Sequence, residues 1–399
     1  MEQAVAGRFA MRSRLTTGRL FKAGWILFGG VVALTLLILL VNLSWFDEPL
    51  HPELASLKTL RSASREDNAY PLALGFLAAD DQDPLAAGQK ILQVQHKRYE
   101  RGERITLSAD ETRTILGQSG QRDLWPAEFT SLECNARVYL DCADRLIAQV
   151  AQADLQQARL AVLLDRFTKM LRYSHFIETQ ERDAYSITAP YGRILDVGRI
   201  RLAISYRRDS TMEFLRKAAD DFRFWTTLLR EGESLVAKMI SVAGIQNTLD
   251  FLSAEMRNRE PSDSDLQFIQ SFVRPFTREE LDIGEAFLSE ARIGVLSEMP
   301  PVAMDSPWIV RMTLQKNATL NEGYLKIIVP MRLRAALSSE EFYRQAGYKP
   351  LNFHQRVFPP LLFNLGGSAA IRNSSWDPQQ FVARVQDENG RIALVLLQV

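Results

Sequence analysis

Ser234 and Lys238 have the residue types and the spacing of a serine nucleophile with its base. They stand four positions apart, so on one helix their side chains lie on the same face. Activation of the serine also requires a buried lysine of lowered pKa beside it, and no sequence pattern indicates such burial. We therefore expect a structural role for this pair.

Two further groups have the residue types of metal ligands. His175 and Glu178 lie three apart in a stretch that predicts helix, and Asp80, Asp81 and Asp83 resemble a cation-binding turn. Two ligands do not form a metal site, and the aspartates lack the spacing and the glutamate of an EF-hand loop. We interpret these groups as a surface pair and a solvated turn whose acids cap a helix, and we predict no metal.

Asp221 and Glu233 are the carboxylates that a hydrolase or lyase would use. Glu233-Ser234 resembles the dipeptide around the acid of some peptidoglycan-cleaving enzymes, although the neighbouring residues do not extend the likeness. The sequence contains no short motif of a phosphate-binding loop, a dinucleotide fold, a serine hydrolase or a zinc protease. We predict no catalytic residue and no cofactor, and an active site without a short motif stays the alternative.

Residues 23–46 contain no charged side chain and have the length of a membrane-spanning helix. About 20 helical residues cross the roughly 30 Å hydrocarbon layer. Trp25 and Trp45 stand near the two ends, where amphipathic aromatics prefer the headgroup regions, so we predict both at the membrane interface. A cleaved signal peptide has a shorter apolar run and a small-x-small cleavage site, and a retained signal anchor fits this sequence better.

The zero net charge of the 399-residue chain is a cancellation between its two parts. Residues 1–43 hold five bases and one acid, whereas the remainder holds 43 bases and 47 acids. Because short basic segments stay in the cytoplasm, we predict a cytoplasmic N-terminus and a periplasmic main domain, with the anchor in the inner membrane of a bacterium. The mildly acidic main domain argues against a nucleic-acid partner.

Helical periodicity dominates the main domain. One stripe of apolar residues covers 211–230, a second begins at Leu235, and residues 143–180 form a long stretch without proline or glycine. Residues 70–79 and 84–98 predict a helix pair, whereas 392–397 fits either a helix end or a terminal strand. The predicted fold class is mainly α: a single transmembrane helix, then a large helical bundle or irregular α-solenoid, with a more mixed C-terminal part.

Four segments follow from these patterns. They are a basic cytoplasmic tail (1–22), the transmembrane signal anchor (23–46), a helical extracytoplasmic domain (47–299) and a helical or mixed C-terminal subdomain (300–399). The first hypothesis for function is a non-enzymatic scaffold, assembly factor or regulator that binds other envelope proteins. The alternative is a periplasmic cell-wall or lipid hydrolase or lyase that uses a carboxylate. The sequence leaves homo-oligomerisation open.

Cys134 and Cys142 are the two cysteines of the chain, and we predict that they form a disulfide in an oxidising periplasm. On one helix their Cα atoms would be about 12 Å apart, beyond the roughly 4.4–6.8 Å of a disulfide. The intervening residues must therefore form a loop that ends near Asp141, at the start of a helix. Mass spectrometry without reduction should find no free thiol, and two alkylated cysteines would exclude the bond.

Overall fold

The computed structural model describes residues 3–42, 44–57, 66–103, 105–118, 132, 141–152, 158–180, 186–297, 313–345, 364, 367–368, 371 and 378–399. Within these residues the regular structure is helical, and one isolated bridge joins Asn68 to His175. The predicted mainly α class is therefore confirmed, and the described part of the chain contains no strand.

Loops of a few residues connect the consecutive helices from α8 to α13. The helices up to residue 208 are α1 (Gln3–Val41), α2 (Pro52–Ser56), α3 (Tyr70–Leu74), α4 (Pro84–Glu100), α5 (Ala109–Ile115), α6 (Cys142–Gln152), α7 (Ala158–Met170) and α8 (Tyr191–Arg208). The following ones are α9 (Thr211–Glu231), α10 (Leu235–Arg259), α11 (Asp263–Phe272), α12 (Arg278–Leu281), α13 (Gly284–Leu296), α14 (Lys316–Gly323), α15 (Val329–Ala335), α16 (Ser339–Gln345) and α17 (Gln379–Gln398).

The chain forms two compact units, each assembled from segments that are distant in sequence. The first unit comprises residues 1–52, 299–323 and 351–375, and the second comprises 53–298, 324–350 and 376–399. The segment boundaries that we predicted rest on composition and stay predictions.

Helices α9 and α10 form the centre of the second unit. The apolar stripe predicted for α9 is buried, and Trp225 on this stripe is 2% exposed. Ser210 caps α9 by accepting a hydrogen bond from the Glu213 amide at 3.4 Å. A Cβ atom at Gly244 of α10 would lie 2.2 Å from the Trp225 ring, so only glycine lets the indole lie against this helix. Close packing at this position holds the two helices together.

The predicted pair of helices is present as α3 and α4, although α3 is shorter than predicted. Their backbones meet at two glycines: a Cβ at Gly75 would lie 1.8 Å from the Pro84 carbonyl oxygen, and one at Gly88 would lie 1.7 Å from that of Pro71. Asp83 caps α4 by accepting hydrogen bonds from the backbone amides of its first turn, at 3.1 and 3.3 Å. The pair is therefore fixed by backbone contact and by the cap.

Two predicted elements differ from the structure. The stretch 143–180 is not one helix, because α7 ends at Met170 and residues 171–180 form a turn and an extended segment. The predicted helix over 70–79 is shorter, since α3 ends at Leu74 and residues 75–77 form a turn.

The parts of the second unit that come from residues 324–350 and 376–399 contain helices. Helix α17 continues through Gly390 and includes Ile392, which is fully buried, so residues 392–397 end a helix and are not a strand. Around Pro330 the chain is helical as α14, a π-helical turn at Tyr324–Ile328, and α15. An apolar face against α10 explains why α17 stays helical despite its glycine.

The apolar part of α1 has the dimensions of a membrane span. Its 21 residues from Phe21 to Val41 extend about 31 Å at the helical rise, close to the hydrocarbon thickness. Most of its large apolar side chains are exposed in the structure. An apolar N-terminal helix of spanning length is therefore confirmed, as either an anchor or a signal sequence.

We predict that Gly88→Ala lowers the free energy of unfolding by about 1–3 kcal/mol, because the added methyl group overlaps the α3 backbone. Gly390→Ala is the matched control, since nothing lies within 4 Å of its Cβ position in α17. That control should raise stability by about 0.5–1 kcal/mol through helix propensity. Thermal unfolding followed by circular dichroism in detergent checks both variants, and equal Tm values for wild type and Gly88→Ala would contradict the packing.

Candidate functional site

The C-terminal end of α1 is bound to the rest of the first unit by hydrogen bonds between two asparagines. Asn42, which directly follows α1, is 6% exposed, and its side-chain oxygen accepts a hydrogen bond from the Asn364 amide at 2.8 Å. The side-chain oxygen of Asn364 in turn accepts from the Gln315 amide and the Thr319 hydroxyl, both at 3.0 Å. The end of an apolar helix is thus part of a buried polar network.

Acidic residues that follow α1 in the chain cap helix α14. The Asp47 carboxylate accepts from the amides of Asn317 and Ala318 at 2.8 and 3.0 Å. Asn321 donates to the Glu48 carboxylate at 2.7 Å. A carboxylate at a helix N-terminus accepts hydrogen bonds from the unpaired amides and interacts favourably with the positive end of the helix dipole. We call Asn42, Asp47, Glu48, Asn321 and Asn364 the anchor clamp.

Both tryptophans predicted for the membrane interface have exposed side chains. Trp25 lies on α1 with Phe21 and Phe28 edge-on against its ring. Trp45 is 89% exposed in a short 3-10 turn over Ser44–Phe46, between Asn42 and Asp47. Their placement in the headgroup layers stays a prediction.

In the second unit, a buried carboxylate joins the corner between α9 and α10 to a distant segment. Glu178 is 2% exposed and accepts from the Ser234 hydroxyl at 2.9 Å and the Tyr191 hydroxyl at 2.8 Å. Its Oε2 accepts from the amides of Glu233 and Ser234 at 2.9 and 2.6 Å. Glu178 therefore accepts the hydrogen bonds of the amides at the start of α10, which no helical carbonyl accepts.

The Ser234 and Lys238 pair is occupied by backbone contacts. The Ser234 hydroxyl accepts from the Ala237 amide at 3.1 Å as the α10 cap, while Lys238 donates to the carbonyls of Leu229 and Arg230 at the end of α9. Burial lowers the pKa of Lys238 to about 8, and nearby Glu178 opposes the shift. Both side chains close the corner between the two helices, as a capping pair does.

His175 and Glu178 do not share a helix face, because their segment is not helical. His175 instead faces Glu231, with its Nδ1 atom 3.1 Å from the Glu231 carboxylate. Glu231 also accepts from the Phe176 amide at 3.0 Å. The described residues contain no group of three or more side chains with metal-ligating geometry.

A buried arginine that sequence reasoning missed holds the turn between α3 and α4. Arg166 is 3% exposed, and its guanidinium donates to the carbonyls of Phe76, Ala78, Ala79 and Gln82. The missed signal is its position on α7, where it occupies the apolar face next to Phe167 and three residues after Leu163. Asp80 of this turn forms an ion pair with Arg159 of α7, and Asp83 caps α4. The acidic turn therefore has a structural role.

The two carboxylates of the hydrolase alternative differ in access. Asp221 is fully buried on α9 and pairs with Arg201 of α8 at 2.6 Å, so a substrate cannot reach it in this conformation. Glu233 is half-buried at the corner between α9 and α10. Only Glu233 has the access that the alternative needs.

A cleft of about 370 Å³ opens next to this corner, a size within the usual range of ligand pockets. Tyr191 links the two features, because it lines the cleft and donates to Glu178. Val236 and Ile240 of α10 provide an apolar wall, and Val236 is 49% exposed. The cleft offers apolar surface at a rigidly held corner.

The predicted cysteine pair falls partly outside the described residues. Cys134 lies outside them, whereas Cys142 begins α6 as predicted. The Asp141 carbonyl accepts from the Arg145 amide at 3.0 Å, which places Asp141 at the helix start. The disulfide itself stays a prediction.

Two carboxyl groups lie where α17 packs on α10: Glu388, which is buried, and Asp250, which is half-buried. Burial raises the pKa of Glu388 to about 8 and that of Asp250 to about 6, and Arg391 opposes both shifts. The Oε1 atom of Glu388 has no hydrogen-bond partner in the described structure. Folding therefore favours the protonated form of Glu388.

We predict that stability falls as the pH rises through the Glu388 titration. The unfolded carboxyl releases its proton near 4.5 and the folded one near 8, so between these values the folded state holds the extra proton. The free energy of unfolding falls by up to about 1.4 kcal/mol per pH unit in this range. Glu388→Gln should remove most of the slope between pH 7 and 8, because burial raises the pKa of Asp250 only to about 6 and that of Asp221 only to about 7, so both contribute least there.

Tm values in detergent across this pH range check the prediction. Glu279→Gln, which changes an exposed carboxylate, is the control and should keep the wild-type slope. An unchanged slope in Glu388→Gln would show that this carboxyl does not control the pH dependence.

The site geometry thus consists of the anchor clamp in the first unit and the buried corner with its cleft in the second. Comparison with protein-family models, curated proteins and solved structures finds no match to this chain. Assignment of a function therefore depends on the contacts described above.

Proposed function

We propose that this chain is a single-pass membrane-anchored protein whose helical units lie outside the cytoplasm, where they act as a non-enzymatic scaffold or an assembly or regulatory factor for other envelope proteins. The observation that carries the proposal is the anchor clamp. It joins an uncovered apolar helix of spanning length to a folded unit through Asn42 and Asp47.

The clamp favours a retained anchor over a cleaved signal peptide. Asn42 is buried in the first unit, and Asp47 and Glu48 supply the cap and the side-chain partner of α14. Cleavage between Asn42 and Asp47 would remove the acceptor of the buried Asn364 amide, and an unpaired buried donor costs about 1–3 kcal/mol. Retention keeps both the membrane tether and the folded unit intact.

Orientation and compartment follow from charge. The bases before the apolar helix favour a cytoplasmic N-terminus in the inner membrane, with residues 47–399 in the periplasm. In this arrangement Trp25 and Trp45 lie in opposite headgroup layers. The oxidising compartment then favours the bond between Cys134 and Cys142, which would fix the start of α6.

The roles of the buried charges support a scaffold. Glu178, Lys238 and Arg166 each bind backbone groups at helix ends or turns, so their charge stabilises a fixed shape. Exposed apolar side chains provide contact surface for a protein: Val236 in the cleft and Leu394 on α17, which is 62% exposed. A rigid helical body with such positions suits protein binding.

Site-specific photocrosslinking in cells tests the proposal. A photoreactive amino acid replaces Val236 or Leu394, and Glu279, which is exposed and polar, is the matched control. We expect a discrete crosslinked envelope protein from at least one apolar position and none from the control. A reporter active only outside the cytoplasm, fused after Val399, should be active.

Specific outcomes would reject the proposal. They are recovery of the protein from the soluble fraction after carbonate extraction, an inactive reporter, or the absence of any protein adduct at both apolar positions. The hydrolase alternative would gain support if purified protein released cell-wall fragments and Glu233→Gln abolished that release.

A further inference from the structure

The last turn of the anchor helix lies in a different environment from the rest of the span. Side chains from Phe21 to Leu37 are exposed, whereas Ile38 and Leu39 are half-buried and Asn42 is buried. Asn364 of the first unit binds Asn42, so folded protein reaches the last turn of the helix, in which Leu40 is still 53% exposed.

We propose that the first unit is docked on the surface of the bilayer that its own anchor crosses, with the first turn of α14 and the Trp45–Phe46 turn in the headgroup layer. This inference rests on the proposed membrane anchor. It goes further, because it assigns a segment 270 residues away from the anchor to the membrane surface.

The short distance between Asn42 and Gln315 supports this placement. Asn364 connects Asn42 to Gln315 through hydrogen bonds of 2.8 and 3.0 Å. With one asparagine between them, Gln315 lies within about 10 Å of the end of the anchor. The headgroup layer on each side of the hydrocarbon is about 5–8 Å thick. The start of α14 is thus held at the depth of the headgroups.

Side-chain chemistry at this level matches an interface with lipid. Trp45 and Phe46 are 89% and 54% exposed, and they belong to the turn that directly precedes Asp47. Amphipathic and aromatic rings prefer the headgroup region. Since the same turn follows a helix that lipid surrounds, the bilayer is the partner that this surface meets first.

The clamp also explains why this docking is rigid. Asp47 and Glu48 bind Asn317, Ala318 and Asn321 within the first unit. A flexible stalk would instead leave these groups to water. The anchor therefore sets the distance between the first unit and the membrane.

Depth-resolved fluorescence quenching tests the inference on the full chain. A fluorescent amino acid replaces Lys316 on α14, and the protein is reconstituted in phosphatidylcholine vesicles that carry nitroxide either on the headgroup or deep in the acyl chain. We expect headgroup nitroxide to quench the probe at least about twofold more strongly than the deep label. Leu320 provides a second probe position if the first variant misfolds.

Clamp variants provide the matched controls. Asp47→Ala should lower headgroup quenching at position 316 by at least about half, because α14 loses its cap, whereas Asp47→Asn keeps an acceptor and retains more of the quenching. A probe at Trp25 should respond identically in both variants.

The outcomes separate this inference from the proposed function. A probe at 316 and 320 that no lipid label quenches, in protein that floats with the vesicles, would overturn the docking while the anchor stands. Protein that does not float with the vesicles would overturn the anchor and the docking together. Quenching at 316 that is unchanged in Asp47→Ala would overturn the role of the clamp.

Discussion

The guanidinium of Arg166 binds four backbone carbonyls in the turn between α3 and α4, and the arrangement of the second unit depends on this kind of contact. A sharp turn buried beneath a helix has carbonyl groups that no helix or sheet satisfies, and each unpaired group costs about 1–3 kcal/mol. One planar cation with several donors satisfies them together. Because Arg166 fixes the turn, the backbones of α3 and α4 can approach each other closely at Gly75 and Gly88.

The same solution recurs wherever a helix begins or ends in the interior. Lys238 binds the carbonyls that end α9, Glu178 binds the amides that start α10, and Asp47 binds those that start α14. A full charge is costly to bury unless hydrogen bonds satisfy it, and here the unpaired helix ends supply those bonds. Spacing alone made Ser234 and Lys238 resemble a catalytic pair, whereas burial and partners make them a cap.

The fold was predictable where local patterns determine it. The apolar stripe of α9, the cap at Asp83 and the apolar span were visible because periodicity and capping are properties of neighbouring residues. The break after Met170 was missed, since residues 171–180 contain no glycine or proline and are held out of the helix by contacts with distant residues, among them Asn68, Glu231 and Ser234. Likewise, the anchor clamp joins positions hundreds of residues apart, and a single sequence carries no signal for such pairing.

The separation between Asn42 and Asn364 also has a consequence for biosynthesis. These residues are 322 positions apart, so at about 5–20 residues per second the ribosome makes Asn364 roughly 15–60 s after Asn42. During that interval the Asn42 side chain lacks the Asn364 amide that it binds in the folded chain. The second unit can meanwhile assemble α3 to α13 from residues already translated. Closure of the first unit is therefore a late event, and the end of α1 acquires its contact with Asn364 only when most of the chain has been made.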